Sequence, residues 1–260
     1  MVVYAAQGDP WRSMALLWRT ESPDAERPGP KPGLSVELIV ETAITIADAE
    51  GMAGLSMRAV GDRLGRTAMA LYTYVPGKSE LLDLMYDKAL AELSVAYDGD
   101  DWKADAARWA EDLWDFYLRH PWVLQVSQAR PVLGPNEYVV LEALVKILRR
   151  TGLRPAALRR LISALYSCVR EPARTASESR LAEKVTGQSD DEWWNARSAQ
   201  LREVCPDFAE RFPTLTWMEG EQAFRMEDET VPYLEQEARE AFEFSLAVLL
   251  DGIEVALKAE

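Results

Sequence analysis

Between residues 58 and 78 the chain places Arg58, Arg66, Thr67, Tyr72, Thr73, Tyr74 and Lys78, with Asp62 as the one acid among them. Guanidinium, hydroxyl and ammonium groups of this kind donate hydrogen bonds to phosphate oxygens and to the acceptor edges of bases. The residue types needed for catalysis are scarce elsewhere. There is one histidine, His120, and it closes no Glu-x-x-His pair because Tyr117 stands three residues before it. One histidine and two distant cysteines, Cys168 and Cys205, do not supply a zinc site from those residue types. Neither G-x-S-x-G nor a glycine-rich phosphate loop occurs in the sequence. The expectation is a binding protein, not an enzyme, with no metal and no cofactor.

The elements that would position these donors are helices. Ser35 can cap a first helix in which Val36, Ile39, Val40, Ala43, Ile46 and Ala47 recur with helical period, stopped by Gly51 and Gly54. Ser56 can cap a short second helix with Met57, Val60 and Leu64 turned inward, ended at Gly65. A third is expected from about Thr67 to Val75, stopped by Pro76-Gly77, and a fourth starts near Ser79. Further on come a stripe from Trp102 to Tyr117, a helix from Pro135 to Thr151 and a long one opened by Pro155. Pro172 lies inside that last pattern and predicts a kink or break near Arg170–Glu171. Asp190 or Asp191 can cap a helix holding Trp193 and Trp194, and a final helix is expected from about Pro232 to Leu257. Strand-like alternation is absent, so the fold class is all-α: an N-terminal three-helix unit and a larger C-terminal helical body.

The glycine turn between helices two and three gives the helix-turn-helix pattern, whose second helix can be offered to a groove about 12 Å wide. On a helical wheel Ala68, Leu71 and Val75 share one face, while Arg66, Met69, Ala70 and Thr73 fall on the other with Tyr72 at its flank. Small apolar side chains suit thymine methyl groups, and Arg66 and Thr73 can bond to bases or phosphates. Tyr72, Tyr74, Lys78 and Arg58 are candidates for phosphate contacts, which position a protein without reading sequence. The same pattern also occurs in domains that never touch DNA, and tyrosines at this spacing also serve as packed side chains.

The net charge of −14 argues against a nucleic-acid partner at first sight, but it is unevenly spread. Residues 91–260 hold 20 basic and 31 acidic side chains, whereas residues 56–78 hold four basic side chains against Asp62. Screening confines the relevant field to about 10 Å, so a positive tip on an acidic body can still bind phosphates. The length of 260 residues suits one large or two modest domains. No apolar run reaches the roughly 18 residues of a membrane span, and no secretory pattern opens the chain, so the expectation is a cytoplasmic protein with free thiols and no membrane partner. Residues 23–33, PDAERPGPKPG, read as a semi-rigid linker, and DPWRSMALLWRT before them can make one short amphipathic helix through Trp11, Met14, Leu17 and Trp18.

Taken whole, residues 34–90 resemble the DNA-binding domain of the TetR/AcrR family of bacterial repressors. The shared landmarks are Asp48-Ala49-Glu50-Gly51, then Leu55 to Arg58 as LSMR, Leu64-Gly65, LYTYV at 71–75, and Lys78 followed by Leu81-Leu82, in family order and spacing. They cover about a fifth of the chain. RHPWVLQVSQARPVLGPNEY and AFEFSLAVLLDGIEVAL resemble the sensory half of an actinobacterial branch more loosely. By position, Arg58, Thr67, Met69, Ala70, Tyr72, Thr73, Tyr74 and Lys78 match the family's DNA contacts, and Ala68, Met69 and Ala70 stand where polar readers would be unsurprising. The resemblance implies a homodimer that represses by binding two half-sites of a palindromic double-stranded operator, with a small-molecule effector releasing it.

That division gives residues 1–34 as an extension and linker, 35–86 as the helix-turn-helix domain, and 87–260 as the effector-binding and dimerisation domain. The extension has two open readings: an arm reaching the minor groove through Arg27 and Lys31, or a segment that is disordered or packs on the body. Seven of the nine tryptophans follow residue 100, and an aromatic-lined bundle pocket suits a flat apolar ligand. Candidate lining residues are Trp109, Leu113, Phe116, Trp122, Tyr138, Tyr166, Val169, Arg170 and Trp194, each with plain core packing as its competing role. His120 is read as a helix-end cap. The resemblance also implies that two long helices, roughly 155–183 and 232–257, pair with their copies in a twin subunit. Leu158, Leu161, Leu165, Leu246, Leu249 and Ile253 would then lie in or near the seam.

Overall fold

The structure is a computed structural model, and it describes residues 3–18, 33–225 and 230–259. Among the described residues the secondary structure is helical apart from one isolated parallel bridge between Val3 and Val126. No described helix is long and apolar enough to cross a membrane. The chain forms two compact units, one of residues 1–170 with 249–260 and the other of residues 171–248.

In the first unit α1 (Pro10–Trp18) is followed by α2 (Val36–Gly54), α3 (Met57–Leu64), α4 (Ala68–Leu71) and α5 (Lys78–Leu90). The serines read as caps do cap: Ser35 Oγ accepts from Leu38 N at 3.2 Å and Ser56 Oγ from Ala59 N at 3.0 Å. Ile39, Val40, Ala43, Ile46 and Ala47 are all buried, as the spacing requires. Gly51 takes φ 68° and kinks the end of α2. The domain boundary expected at residue 86 falls inside α5, so one rigid rod joins the N-terminal three-helix unit to the rest of this compact unit. In α1 only Ser13 and Leu17 are buried, and Trp11, Met14 and Trp18 remain exposed, so its apolar stripe is only partly covered.

Next come α6 (Trp102–Arg119), a short 3₁₀ turn at Pro121–Gln125, α7 (Pro135–Arg149) and α8 (Pro155–Thr186). Trp109, Leu113 and Phe116 of α6 and Leu144, Ile147 and Leu148 of α7 are buried, and the two helices pack on each other. Of the kink or break expected near Arg170–Glu171, the break does not occur: α8 continues as one helix through Pro172. A proline inside a helix removes one backbone donor, and here the remaining ladder carries the helix on.

In the second unit, α9 (Asp190–Val204) is capped by Ser189 and not by Asp190 or Asp191. Ser189 Oγ accepts from Glu192 N while Glu192 Oε2 accepts from Ser189 N, a reciprocal capping box that satisfies two donors at once. Two short helices, α10 (Phe208–Arg211) and α11 (Pro213–Gly220), lead to α12 (Tyr233–Ala259), whose last turns belong to the first unit.

Candidate nucleic-acid interface and effector cavity

The reading surface is built from α3, α4 and the turn between them. Gly65 takes φ 64°, and Arg66 N donates to Gly61 O at 2.8 Å, so the chain leaves α3 through a left-handed glycine turn. Gly61 sets how closely the two helices approach. A Cβ there would lie 2.7 Å from Arg66 O and 3.2 Å from Ala68 N. Thr67 Oγ1 accepts from Ala70 N at 3.4 Å and starts α4. The α-helix proper covers only Ala68–Leu71, shorter than the nine residues expected. Leu71 O accepts from both Tyr74 N and Val75 N at 2.9 Å, so regular α-helix gives way to a turn of mixed i→i+3 and i→i+4 bonds. Pro76 and Gly77 then close it.

Leu71 and Val75 are fully buried beneath this turn. Met69 is 75% exposed, and Arg66, Thr67, Tyr72 and Thr73 are exposed beside it. Ala68, Ala70 and Tyr74 are half-buried at the edges. Arg58 lies on the surface 3.7 Å from Asp62, a pair too exposed to fix it. Lys78 has a firmer role, because its Nζ donates to Leu55 O at 2.7 Å and so ties the start of α5 to the corner between α2 and α3.

A second tie lies further back. His120, 3% exposed, caps α6, and its ring does more than the cap alone: Nδ1 lies 2.8 Å from Asp48 Oδ1 and Nε2 lies 3.1 Å from Glu92 Oε2. Trp122 Nε1 donates to the same Asp48 oxygen at 2.8 Å. Burial works against charge on this ring, but the two carboxylates outweigh it and hold the His120 pKa above its ordinary value. A protonated ring donates to both acids, whereas a neutral one donates to one only.

Behind α5 lies a cavity of about 500 Å³. Its walls are Tyr86 and Leu90 of α5, Leu113 and Tyr117 of α6, the connection from Val126 to Leu133, Glu137 to Leu141 of α7, and Ser163 and Tyr166 of α8. Burial raises the Tyr86, Tyr117 and Tyr166 hydroxyls above the ordinary tyrosine range, so they stay neutral and can both donate and accept. Burial likewise raises Glu137, against the pull of the Leu133 N–H at 2.6 Å. Asp87, also raised by burial, accepts from Asn136 N at 2.9 Å, Glu137 N at 3.0 Å and Asn136 Nδ2 at 2.8 Å, seating the start of α7 on α5. Such a lining of aromatic and aliphatic walls with a few placed polar groups suits a small organic ligand.

Of the expected lining residues, the structure brings Leu113, Tyr138 and Tyr166 to the cavity. Trp109 sits behind Tyr166 in an edge-to-face contact at 5.1 Å. Phe116, Trp122 and Val169 are core residues, buried to 0–1% exposure, and do not line it. Arg170 is not among the lining residues, but it braces them: its Nη2 donates to Leu124 O at 2.7 Å and Val126 O at 2.8 Å, and its guanidinium lies over the Tyr117 ring at 5.7 Å. Trp194 is 63% exposed on α9, stacked on Trp193, and belongs to the other compact unit. Sequence reasoning missed Tyr86, Tyr117 and Glu137, and the whole stretch 126–133, which has no periodicity to mark it.

Of the residues expected in or near the seam, Leu158, Leu165, Leu246 and Ile253 are buried within the single chain, and Leu161 and Leu249 are half-buried. Among the large apolar residues that α12 exposes are Phe244, Val248 and Val255, at 73%, 55% and 66%, spaced four and seven residues apart on one face.

A helix-turn-helix head with an outward-facing turn, joined by one rod to a helical body with a cavity, is the architecture of a transcriptional regulator. Comparison with known proteins agrees. Residues 96–257 match the family described as Tetracyclin repressor-like, C-terminal domain. The chain is 38% identical to the HTH-type transcriptional repressor DrrR1 of Streptomyces coeruleorubidus over 255 residues, 96% of this chain and 88% of that one. It is similar in structure to apo ActR of Streptomyces coelicolor, with TM-score 0.66 and 26% identity over 87% of this chain and all of that one. ActR in complex with actinorhodin gives TM-score 0.67 and 26% identity over 86% of this chain and 98% of that one. The chain belongs to the TetR family of transcriptional repressors.

Proposed function

We propose that the protein binds a palindromic operator as a homodimer and is released from it by a small aromatic or apolar effector held in the α5–α8 cavity. The observation that carries this is the pairing of the exposed Met69–Thr73 turn with that cavity through α5, whose first residue grips the head and whose Tyr86 and Leu90 line the cavity. Arg66, Thr67, Met69 and Thr73 face the bases, with Ala68 and Ala70 beside them. Arg58, Tyr72, Tyr74 and Lys78 hold the phosphates. The binding of actinorhodin by ActR supports an organic effector here as well.

The dimer in this proposal forms through the exposed Phe244, Val248 and Val255 face of α12. Two arrangements of the helices behind the head exist, and only one sets the two heads about 34–36 Å apart, the spacing of successive major grooves. Effector binding favours the other.

Electrophoretic mobility shift with DNA from upstream of the protein's own coding sequence, repeated at rising salt, tests the core of the proposal. Affinity should fall steeply, with a log–log slope that tracks the phosphates neutralised. A flat slope, or no shift with any genomic fragment, overturns it.

A further inference from the structure

The N-terminal segment 3–18 plays no part in the proposed function, yet it is bonded at three places. Val3 lies alongside Val126: its N–H donates to Gln125 O at 2.8 Å and its carbonyl accepts from Ser127 N at 2.8 Å. The Tyr4 ring sits under the Arg130 guanidinium at 5.9 Å. The chain then turns at Ala6, which takes φ 54°, and crosses to α5. There Ala6 N donates to the buried Asp83 at 2.8 Å and Asp9 N to the buried Glu80 at 3.3 Å. Asp9 caps α1 by accepting from Arg12 N at 2.9 Å, and α1 packs along α5. At its end Trp18 Nε1 donates to Leu133 O at 3.0 Å, and the Trp18 ring lies 6.1 Å from that of Tyr138.

The places where the two ends of the segment land have one thing in common. Val126, Ser127, Arg130, Leu133 and Tyr138 all line the effector cavity. The segment therefore runs from one end of the irregular wall 126–133 to α5 and back to the other end of that wall. A connection without its own helix is held by the groups it bonds to, and an unheld wall must be ordered when a ligand arrives. We infer that residues 3–18 form a strap that holds the cavity wall in its ligand-ready shape, with Val3 and Trp18 as positioning residues for effector binding. The segment is thereby part of the sensing site. Arg27 and Lys31, the residues expected to reach the minor groove, lie outside the described residues.

This inference rests on the cavity being the effector site, and its test is arranged to separate the two. The full-length protein is compared with Trp18→Ala, with Trp18→Phe, which keeps a ring and loses the N–H, and with a chain lacking residues 3–18. Hydrogen exchange followed by mass spectrometry reads peptides covering 125–138. The strap requires exchange there to quicken by about tenfold or more once its bonds are removed, with residues 57–75 unchanged. Titration with 8-anilinonaphthalene-1-sulfonate, a small aromatic probe, should weaken by about tenfold in Trp18→Ala and by less in Trp18→Phe, while mobility shift without any ligand stays within about twofold. Unchanged exchange at 125–138 in the point variants overturns the strap, whatever the probe does. Failure of every variant and of the parent to bind operator DNA would overturn the regulator reading and leave the exchange result standing. If the truncated chain does not fold, the two Trp18 variants decide the question.

Discussion

Gly61→Ala tests whether the close approach of α3 and α4 sets the reading head. Two effects of opposite sign are in play. Alanine in a helix interior is favoured over glycine by about 1 kcal/mol. Against this, the added Cβ would stand 2.7 Å from Arg66 O and 3.2 Å from Ala68 N, where ordinary contact begins at 3.4 Å. Both neighbours are backbone atoms that no rotamer change can move, so α4 must shift by some tenths of an ångström. Overpacking of this kind costs about 1–3 kcal/mol, which leaves a net loss of about 0–2 kcal/mol in stability. Operator binding should suffer more. The shifted element carries Met69 and Thr73, and one misplaced base contact costs about 1–3 kcal/mol. Repeated in each half of a dimer, that predicts at least about tenfold weaker binding, read by fluorescence anisotropy with a labelled operator. Gly65→Ala is the control. Its Cβ would meet nothing within 4 Å, but φ is 64°, so it should cost about 1–2 kcal/mol of stability through backbone strain and little affinity at temperatures well below melting. A Gly61→Ala protein that melts higher than the parent and binds operator equally well would show that the close approach does not set the head.

The same geometry gives four further outcomes. Arg58→Ala should lower the salt slope of operator binding by about one for each phosphate no longer neutralised, measured by anisotropy at several salt concentrations. Because the His120 pKa is raised in the folded protein, its contribution to stability is full below the ordinary histidine value of 6.5 and is lost as pH rises through the raised value. His120→Gln should flatten the fall in melting temperature across that window, while the buried Asp83, Asp87 and Glu137, also raised, contribute alike in both proteins. Leu113→Trp should fill the cavity and abolish effector release while leaving ligand-free operator binding within about threefold, seen in mobility shifts with and without effector. Phe244→Glu should convert dimer to monomer in analytical ultracentrifugation, whereas Leu158→Ala should leave the dimer intact and cost about 2–5 kcal/mol of folding stability.

Much of the fold was legible because it is written in local chemistry. Ser35 and Ser56 are short side chains that bond to the first free amides of a helix, and Gly65 is the residue that tolerates the left-handed exit. The periodic run from Ile39 to Ala47 can bury itself in only one way. The length of α4 was not legible, since the point after Leu71 where the regular helix gives way depends on how Leu71 and Val75 sit on the helices beneath. Periodicity also told which residues of α8 and α12 are apolar without telling what covers them. Leu158 and Leu246 are buried in the single chain, and Phe244 is exposed. The cavity was half legible. Tyr138 and Tyr166 fit an aromatic lining, but Trp194 shows that composition does not give placement. The wall from Val126 to Leu133 follows no repeat that a sequence could display.

The hold of the body on the head has a bearing on hybrid construction, in which one repressor's DNA specificity is grafted onto another's chemical sense. The hydrogen bond from Lys78 to the Leu55 carbonyl asks nothing of the side chain at 55, so it should survive exchange with any relative that keeps the lysine. The junction at Asp48 is different. It needs an acid on the donor fragment to meet His120 and Trp122 on the recipient, and a fusion that brings another residue to that place would leave an imidazole and an indole without their shared acceptor. Compatible parents for such chimeras can therefore be chosen by checking for the lysine at 78 and the acid at 48.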